Sequence, residues 1–318
     1  MLDAAFIHNP EGSVPHAHAP TLVESAAGDL LAAWYAYPEV EYEHAMLMLA
    51  RRSCGAVEWT RGKRIFEHMQ SSLGNPVLFV DPDGRLRLLF VALRGQYWND
   101  AVLHGAHSDD GGETWSASTQ LWPSRGLMVR HPPLVLGDGS LLLPAYDEHR
   151  REALLLRSLS PFRSWNIQHR FTGLALIQPA LIRERAHRLT LFFRPSEAPR
   201  LIWRSHSADD GTSWSDPVPT ALPTALSGMA AFSLGGTIGL VYNHTEAHQR
   251  FPLSLARSSD GGVTWSAPHH FDTATFELSY PSVVVAADGG IHGVYTYNRR
   301  FIKYVHFDAA WVHSGNDR

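Results

Sequence analysis

A single cysteine, Cys54, stands in a chain of 318 residues. It excludes an intrachain disulfide and leaves no set of thiolates for a cysteine-based metal site. No apolar run reaches the roughly 18–20 residues of a membrane helix, and helical periodicity nowhere persists beyond a turn or two. Positive charge is not in excess. The 27 Lys and Arg face 31 Asp and Glu, for a formal charge of -4, which excludes the broad basic field of a nucleic-acid binder but leaves room for a local cationic pocket. The opening residues MLDAAFIHNPEG lack the basic region and apolar stretch of a signal peptide, so a cytoplasmic protein is expected. Apolar residues make up 44% of the chain and charged ones 18%, enough to bury a sizeable core and exclude bulk disorder. Length alone fits two domains or one larger all-β domain.

An internal repeat decides between them. The segment Ser108-Asp109-Asp110-Gly111-Gly112-Glu113-Thr114-Trp115 reads S-x-D-x-G-x-T-W, and it recurs at Ser207–Trp214 and Ser258–Trp265. Worn copies run from Ser53 to Trp59 and from Ser158 to Trp165, so the tryptophans at 59, 115, 165, 214 and 265 step by 49 to 56 residues. Each copy makes sense as a turn: Ser and Asp side chains bond local N–H groups, Gly supplies positive φ, and Trp packs beneath. A second repeat, out of phase, places short apolar strands around turns at Gly28-Asp29, Asp83-Gly84, Asp138-Gly139, Gly235-Gly236 and Asp288-Gly289, with a variant near Arg185-Ala186. Six hairpins and five boxes fit a ring of six four-stranded blades, each box linking a third strand to a fourth. The expected fold is therefore a single all-β domain over 1–318, a six-bladed β-propeller. Its blades run roughly 18–70, 71–125, 126–172, 173–222, 223–274 and 275–310. The N-terminal strand 4–8 joins the last blade and closes the ring, which removes an exposed sheet edge.

In such a ring the first strand of each blade lines the axis, so equivalent positions converge. Most of these strands carry a proline, at Pro20, Pro76, Pro132, Pro179 and Pro281, preceded by a polar residue: His18 (two before), then Asn75, His131, Gln178 and Tyr280. The fifth blade has Ser227-Gly228-Met229 instead. The second strands exit towards the same mouth with Trp34-Tyr35, Arg94, Asp147-Glu148, Arg194, Asn243-His244 and Asn298-Arg299. Arg194 ends a very apolar strand and Arg250 precedes another; a guanidinium so placed is paired with a protein carboxylate or awaits one from a ligand.

These boxes, the blade count and the register resemble the sialidase superfamily, in particular its bacterial BNR-repeat branch, over nearly the whole chain. The resemblance implies an arginine clamp on a substrate carboxylate, for which Arg194 and Arg250 match, and a tyrosine nucleophile, for which Tyr280 matches. It also locates the departures. His18-Ala19-Pro20 stands where the family has its first arginine, and Gln178 stands where it has the glutamate partner of the tyrosine. The loop that carries the acid/base aspartate offers Glu39, Glu41 and Glu43. A tyrosine near its ordinary pKa of about 10 is a poor nucleophile until a base or a cationic field activates it.

Three readings follow. An exo-glycosidase for a terminal acidic sugar would use Arg194 and Arg250 as clamp, Tyr280 as nucleophile and a glutamate such as Glu41 or Glu43 as acid. A lyase on uronate-containing glycans would move protons with Tyr280 and His131 or His18. A carbohydrate-binding propeller would use the same mouth without chemistry. The first is the expected function, with His18, Asn75, Asn243 and His244 as further substrate contacts and an acidic carbohydrate as partner. Neither His16-x-His18 nor His244-x-x-x-His248 brings a further ligand at a diagnostic spacing, so no metal or cofactor is expected.

Overall fold

The computed structural model describes residues 2–8, 14–68 and 71–314. Its strands form six antiparallel sheets in chain order, one per blade. In blade II they are Leu73–Val80, Leu86–Leu93, Ala101–Ser108 and the short Thr119–Gln120. Blade VI is completed as the repeats require: its strands Leu278–Val285, Ile291–Tyr297 and Phe301–Phe307 are joined by Leu2–His8, with Leu2 opposite Phe307 and Ala5 opposite Tyr304. The chain is thus an all-β six-bladed propeller closed by its N-terminal strand. One turn of helix, Ala309–His313, is added after the last strand, capped by the Asp308 side chain on the Trp311 N–H.

Period-two alternation explains how the blades pack. In the second strand of blade II, Leu86, Leu88, Phe90 and Ala92 face blade I while Leu89 and Val91 face blade III. Both faces are apolar because each blade is sandwiched between two others. The core is accordingly six clusters, one at each interface between neighbouring blades. Near the axis, side-chain hydroxyls stitch one first strand to the next: the Leu78 N–H donates to Thr21 Oγ1 and the Leu22 N–H to Ser282 Oγ.

The boxes lie between third and fourth strands. In blade II, Ser108 Oγ accepts from the Gly112 N–H and donates to Asp110, which in turn accepts from the Thr114 N–H and hydroxyl. The same bonds recur around Asp209 and Asp260. The box tryptophans reach backwards to the preceding blade: Trp115 meets Phe66, Trp214 meets Phe171, Trp265 meets Phe192, and Trp59 meets Tyr304 of blade VI across the closure. Each box is a staple between blades as well as a turn.

Candidate active site

The prolines of the first strands do more than open them. In blades I, II, IV and VI the strand pairing skips a register at the proline, between His18 and Thr21, Gly74 and Val77, Ile177 and Ala180, and Ser279 and Ser282. Inside each bulge the residue before proline is left-handed: Ala19, Asn75, Gln178 and Tyr280, with φ of 46–52°. Such a conformation costs a non-glycine residue about 1–2 kcal/mol, and a bulge re-aims a side chain. The same costly geometry at one register of four blades turns Asn75, Gln178 and Tyr280 into the mouth. In blade I Ala19 occupies the bulge position, and His18, two before the proline, enters from one residue earlier.

The pocket they line has a volume of about 240 Å³. Tyr280 sits at its floor. The His18 ring meets the Tyr280 ring edge-on at 4.7 Å. Arg130 lies 5.3 Å and Arg250 5.4 Å from the Tyr280 ring centroid. Gln178 Oε1 accepts from Arg194 Nη1 at 3.0 Å, and Gln178 Nε2 donates to the Tyr280 and Tyr146 hydroxyls, each at 3.4 Å. Burial opposes ionisation of Tyr280, but the fields of Arg250 and Arg194 and the Gln178 amide outweigh it and bring its phenol below the ordinary tyrosine value.

An ionic chain forms one wall. Arg250 donates to Glu277 Oε1 at 3.0 Å; Arg299 donates through Nε to Glu277 Oε2 and through Nη1 to Glu41 Oε2, both at 2.8 Å. The second oxygen of Glu41 accepts from the Tyr35 hydroxyl, and Glu277 also accepts from Ser279 Oγ. Burial works against the Glu277 charge, yet Arg299 and Arg250 hold its carboxyl below the usual range. Glu148 lines the opposite side, and there burial wins over the attraction of Arg194 and raises its carboxyl above the usual range. An aromatic shelf stands at the rim, where Tyr42 packs edge-on to Trp98 at 5.5 Å and to Tyr97 at 6.3 Å. Trp98 gets there because Gly74 has no side chain: a Cβ at that position would fall 2.5 Å from its ring.

Of the residues picked from sequence, Tyr280, Gln178, Asn75, His18, Arg194, Arg250 and Glu41 line the pocket. Four do not. Glu43 is exposed on its loop. Asn243 is buried and ties blades together, donating to the Leu278 and Pro252 carbonyls. His244 is turned to the Tyr242 hydroxyl at 2.6 Å. His131 lies in blade III, where the first strand is broken between Leu127–Val129 and Leu134–Val135 and no left-handed bulge forms. It is buried beside the pocket rather than in it, and burial, with Arg130 adjoining, pulls its imidazole down to about 3. The residue that blade III sends under the site is Arg130, which donates to the carbonyls of Pro20, Tyr280 and Pro281; desolvation lowers even this guanidinium to about 10. Arg130 and Tyr146 are the participants that the sequence did not point to, whereas Glu148 and Arg299 stood among the second-strand exits expected at the mouth, without an assigned role.

A larger groove of about 820 Å³ runs along the perimeter between Leu2–His8 and blade I, past Met48, Trp59 and Arg64. It lacks the axial convergence of buried charges. Among the described residues no group of three or more His, Cys, Asp or Glu side chains is placed to hold a metal ion.

Residues 28–293 match the model of the BNR repeat-like domain. The chain belongs to that family. No curated protein matches the sequence, and the similarity to solved structures is one of fold. The NanB sialidase of Streptococcus pneumoniae superposes with a TM-score of 0.81 at 11% identity, over 96% of this chain and 71% of that one. The intramolecular trans-sialidase of Ruminococcus gnavus gives 0.78 at 15%, over 96% and 97%. A protein of unknown function from Dyadobacter fermentans gives 0.78 at 15%, over 96% and 98%. This BNR repeat-like protein is thus a sialidase-like propeller whose axial pocket is lined by Tyr280, Gln178, Arg194, Arg250 and Arg299.

Proposed function

We propose that the protein is an exo-acting glycosidase for a terminal acidic sugar. The observation that carries this reading is the convergence of Arg194, Arg250 and Arg299 on one small pocket whose floor is Tyr280. Arg194 is half-buried in the pocket lining and donates there to the neutral Gln178 amide, and among the described residues it forms no ion pair, which leaves its charge for a ligand carboxylate. The sugar carboxylate docks on Arg194 and Arg250. Tyr280 Oη attacks the anomeric carbon, the bond to the leaving oxygen breaks, and water later releases the sugar from the tyrosine.

The leaving oxygen needs a proton. Both oxygens of Glu41 are already engaged by donors, Tyr35 and Arg299, so Glu41 acts as an anchor for the cationic wall. Glu148, whose burial favours the protonated form, is the carboxyl suited to give the proton. The shelf of Tyr42, Tyr97 and Trp98 supplies flat apolar faces for the rest of the glycan.

One observation favours the lyase as second reading. His18 is buried against Tyr280 and held neutral by desolvation and by Arg299, Arg250 and Arg130, with an unpartnered Nδ1, the state a proton acceptor needs. Mass analysis of products from sialosides and uronate-terminated oligosaccharides separates the two. Products that together gain one water establish the hydrolase, and cleavage without that gain but with a new double bond absorbing in the near ultraviolet establishes the lyase. Tyr280→Phe is expected to lower turnover by about 10³-fold or more while the acidic sugar still binds; wild-type rates in that variant would remove both catalytic schemes.

A further inference from the structure

Gln178 is the least expected residue of the site, because an amide cannot take a proton from the tyrosine beside it. Its orientation is set by its neighbours. Arg194 offers only N–H donors, so the amide oxygen must face it, and the contact at 3.0 Å does so. The amide nitrogen is thereby turned to the two phenols, Tyr146 and Tyr280. Tyr280 Oη therefore meets a donor where a base would present an acceptor.

Burial and the Glu41 charge oppose ionisation of Tyr280, but the nearby cations outweigh them and, among the described residues, no base stands at its hydroxyl. Arg130 and Arg250 stand within about 5.4 Å of its ring centroid, and Arg194 acts on it from behind Gln178. Among the described residues no carboxylate or histidine nitrogen is hydrogen-bonded to its Oη. Glu277 is saturated by Arg250, Arg299 and Ser279, and Glu41 by Arg299 and Tyr35. His18 touches the ring edge-on and is neutral. Tyr35 and Tyr146 are both pushed up, chiefly by burial, so neither competes for ionisation.

We infer that Tyr280 enters the reaction already as a phenolate, its proton lost to water beforehand, with Gln178 serving as a hydrogen-bond donor to that phenolate and the arginines as its counter-charge in place of a general base. The nucleophile is thus stored. A phenolate held by cations is weakly basic and weakly nucleophilic. When a ligand carboxylate occupies Arg194 and Arg250, their charge is spent on it and the phenolate becomes more reactive at the moment the sugar arrives. By linkage, the same coupling makes an acidic sugar raise the affinity of Tyr280 for a proton. This last step rests on the glycosidase reading; the resting phenolate does not.

The test is a titration that needs no substrate. Phenolate absorbance in the near ultraviolet is followed against pH for the wild type and for Tyr280→Phe, and their difference isolates Tyr280. The expected midpoint lies below neutral pH, far under the ordinary value of about 10, so that the phenolate is the resting form; a midpoint above neutral pH overturns the inference. Gln178→Glu replaces the donor by an anion and is expected to raise the midpoint by about one unit or more, and an unchanged midpoint would remove Gln178 from the role. Carbon-13 NMR of the tyrosine Cζ atoms follows the same ionisation in the unsubstituted protein, so the result does not depend on the folding of a variant. Added N-acetylneuraminate is expected to raise the midpoint. A low midpoint in a protein that cleaves no acidic glycoside would leave the phenolate standing and overturn the glycosidase reading alone.

Discussion

Glu148 shows how much a single burial decides at the residue scale. It follows the second strand of blade III, next to Asp147, whose carboxylate is spent on the N–H groups of His149 and Arg150. Glu148 instead lines the pocket, and desolvation raises its carboxyl despite Arg194. In the proton-donor role proposed for it, Glu148 would act while protonated, so its contribution is full at pH values below its raised pKa and is lost as pH rises through it. Glu148→Gln is expected to slow cleavage of a glycoside with a poor leaving group by about 10²-fold, and to spare one with an acidic phenol as leaving group. Rates on the two substrates across pH check this; equal losses on both would return the acid role to Glu41.

The same scale shows where sequence reading reaches and where it stops. Tyr280, Gln178 and Asn75 were legible because each precedes a proline at a fixed distance from a hairpin, and Arg194 and Arg250 because each flanks an apolar strand. Arg130 was hidden by its neighbour: in Arg130-His131-Pro132-Pro133 the polar residue before proline is the histidine, yet the absence of a left-handed bulge turns the histidine aside and the arginine inward. Arg299 sits in a tight turn with Asn298, both left-handed, at φ of 50° and 55°. Nothing in residue type announces that such a turn aims a guanidinium at Glu277 and Glu41. Backbone dihedrals at bulges and turns, rather than hydrophobic pattern, carried the missing information.

At the scale of the element, the box is the unit whose chemistry repeats. Asp110, Asp209 and Asp260 are all held below the ordinary aspartate range, first by a side-chain hydroxyl and then by the N–H of the same Thr or Ser, with Asp209 at about 2. A carboxylate whose folded pKa is depressed stabilises the fold above its unfolded value of about 3.9, and that contribution is lost as pH falls through the folded value. Asp260→Asn is therefore expected to lower the Tm at pH 7, with the gap to the wild type narrowing between about pH 4 and pH 2. Thermal melts over that range check it, and a gap independent of pH would mean that the bonds work equally well without the charge. Because Trp265 of this box packs on Phe192 of the preceding blade, its loosening should show first at the interface of blades IV and V.

For the whole molecule, closure decides stability. Leu2–His8 covers the free edge of Phe301–Phe307 and brings Ile7 into the cluster shared by blades VI and I. Removing residues 2–8 exposes that edge to other chains and takes away several kcal/mol of pairing and burial. A fall in Tm of roughly 10 °C or more is expected, with concentration-dependent association seen by light scattering; a monomer of unchanged Tm would show that the ring is held by its blade interfaces alone.

The placement of the chemistry on the closing blade has a consequence in time. Tyr280, Glu277 and Arg299 all belong to blade VI, the one sheet assembled from the two ends of the chain. A ribosome delivers Leu2–His8 before the other described strands and its partner Phe301–Phe307 after them. The earlier strand must therefore wait for that partner while the blades between are made, and the pocket cannot exist in any nascent chain that stops short of blade VI. The pocket is completed in one step, when Leu2–His8 meets Phe301–Phe307.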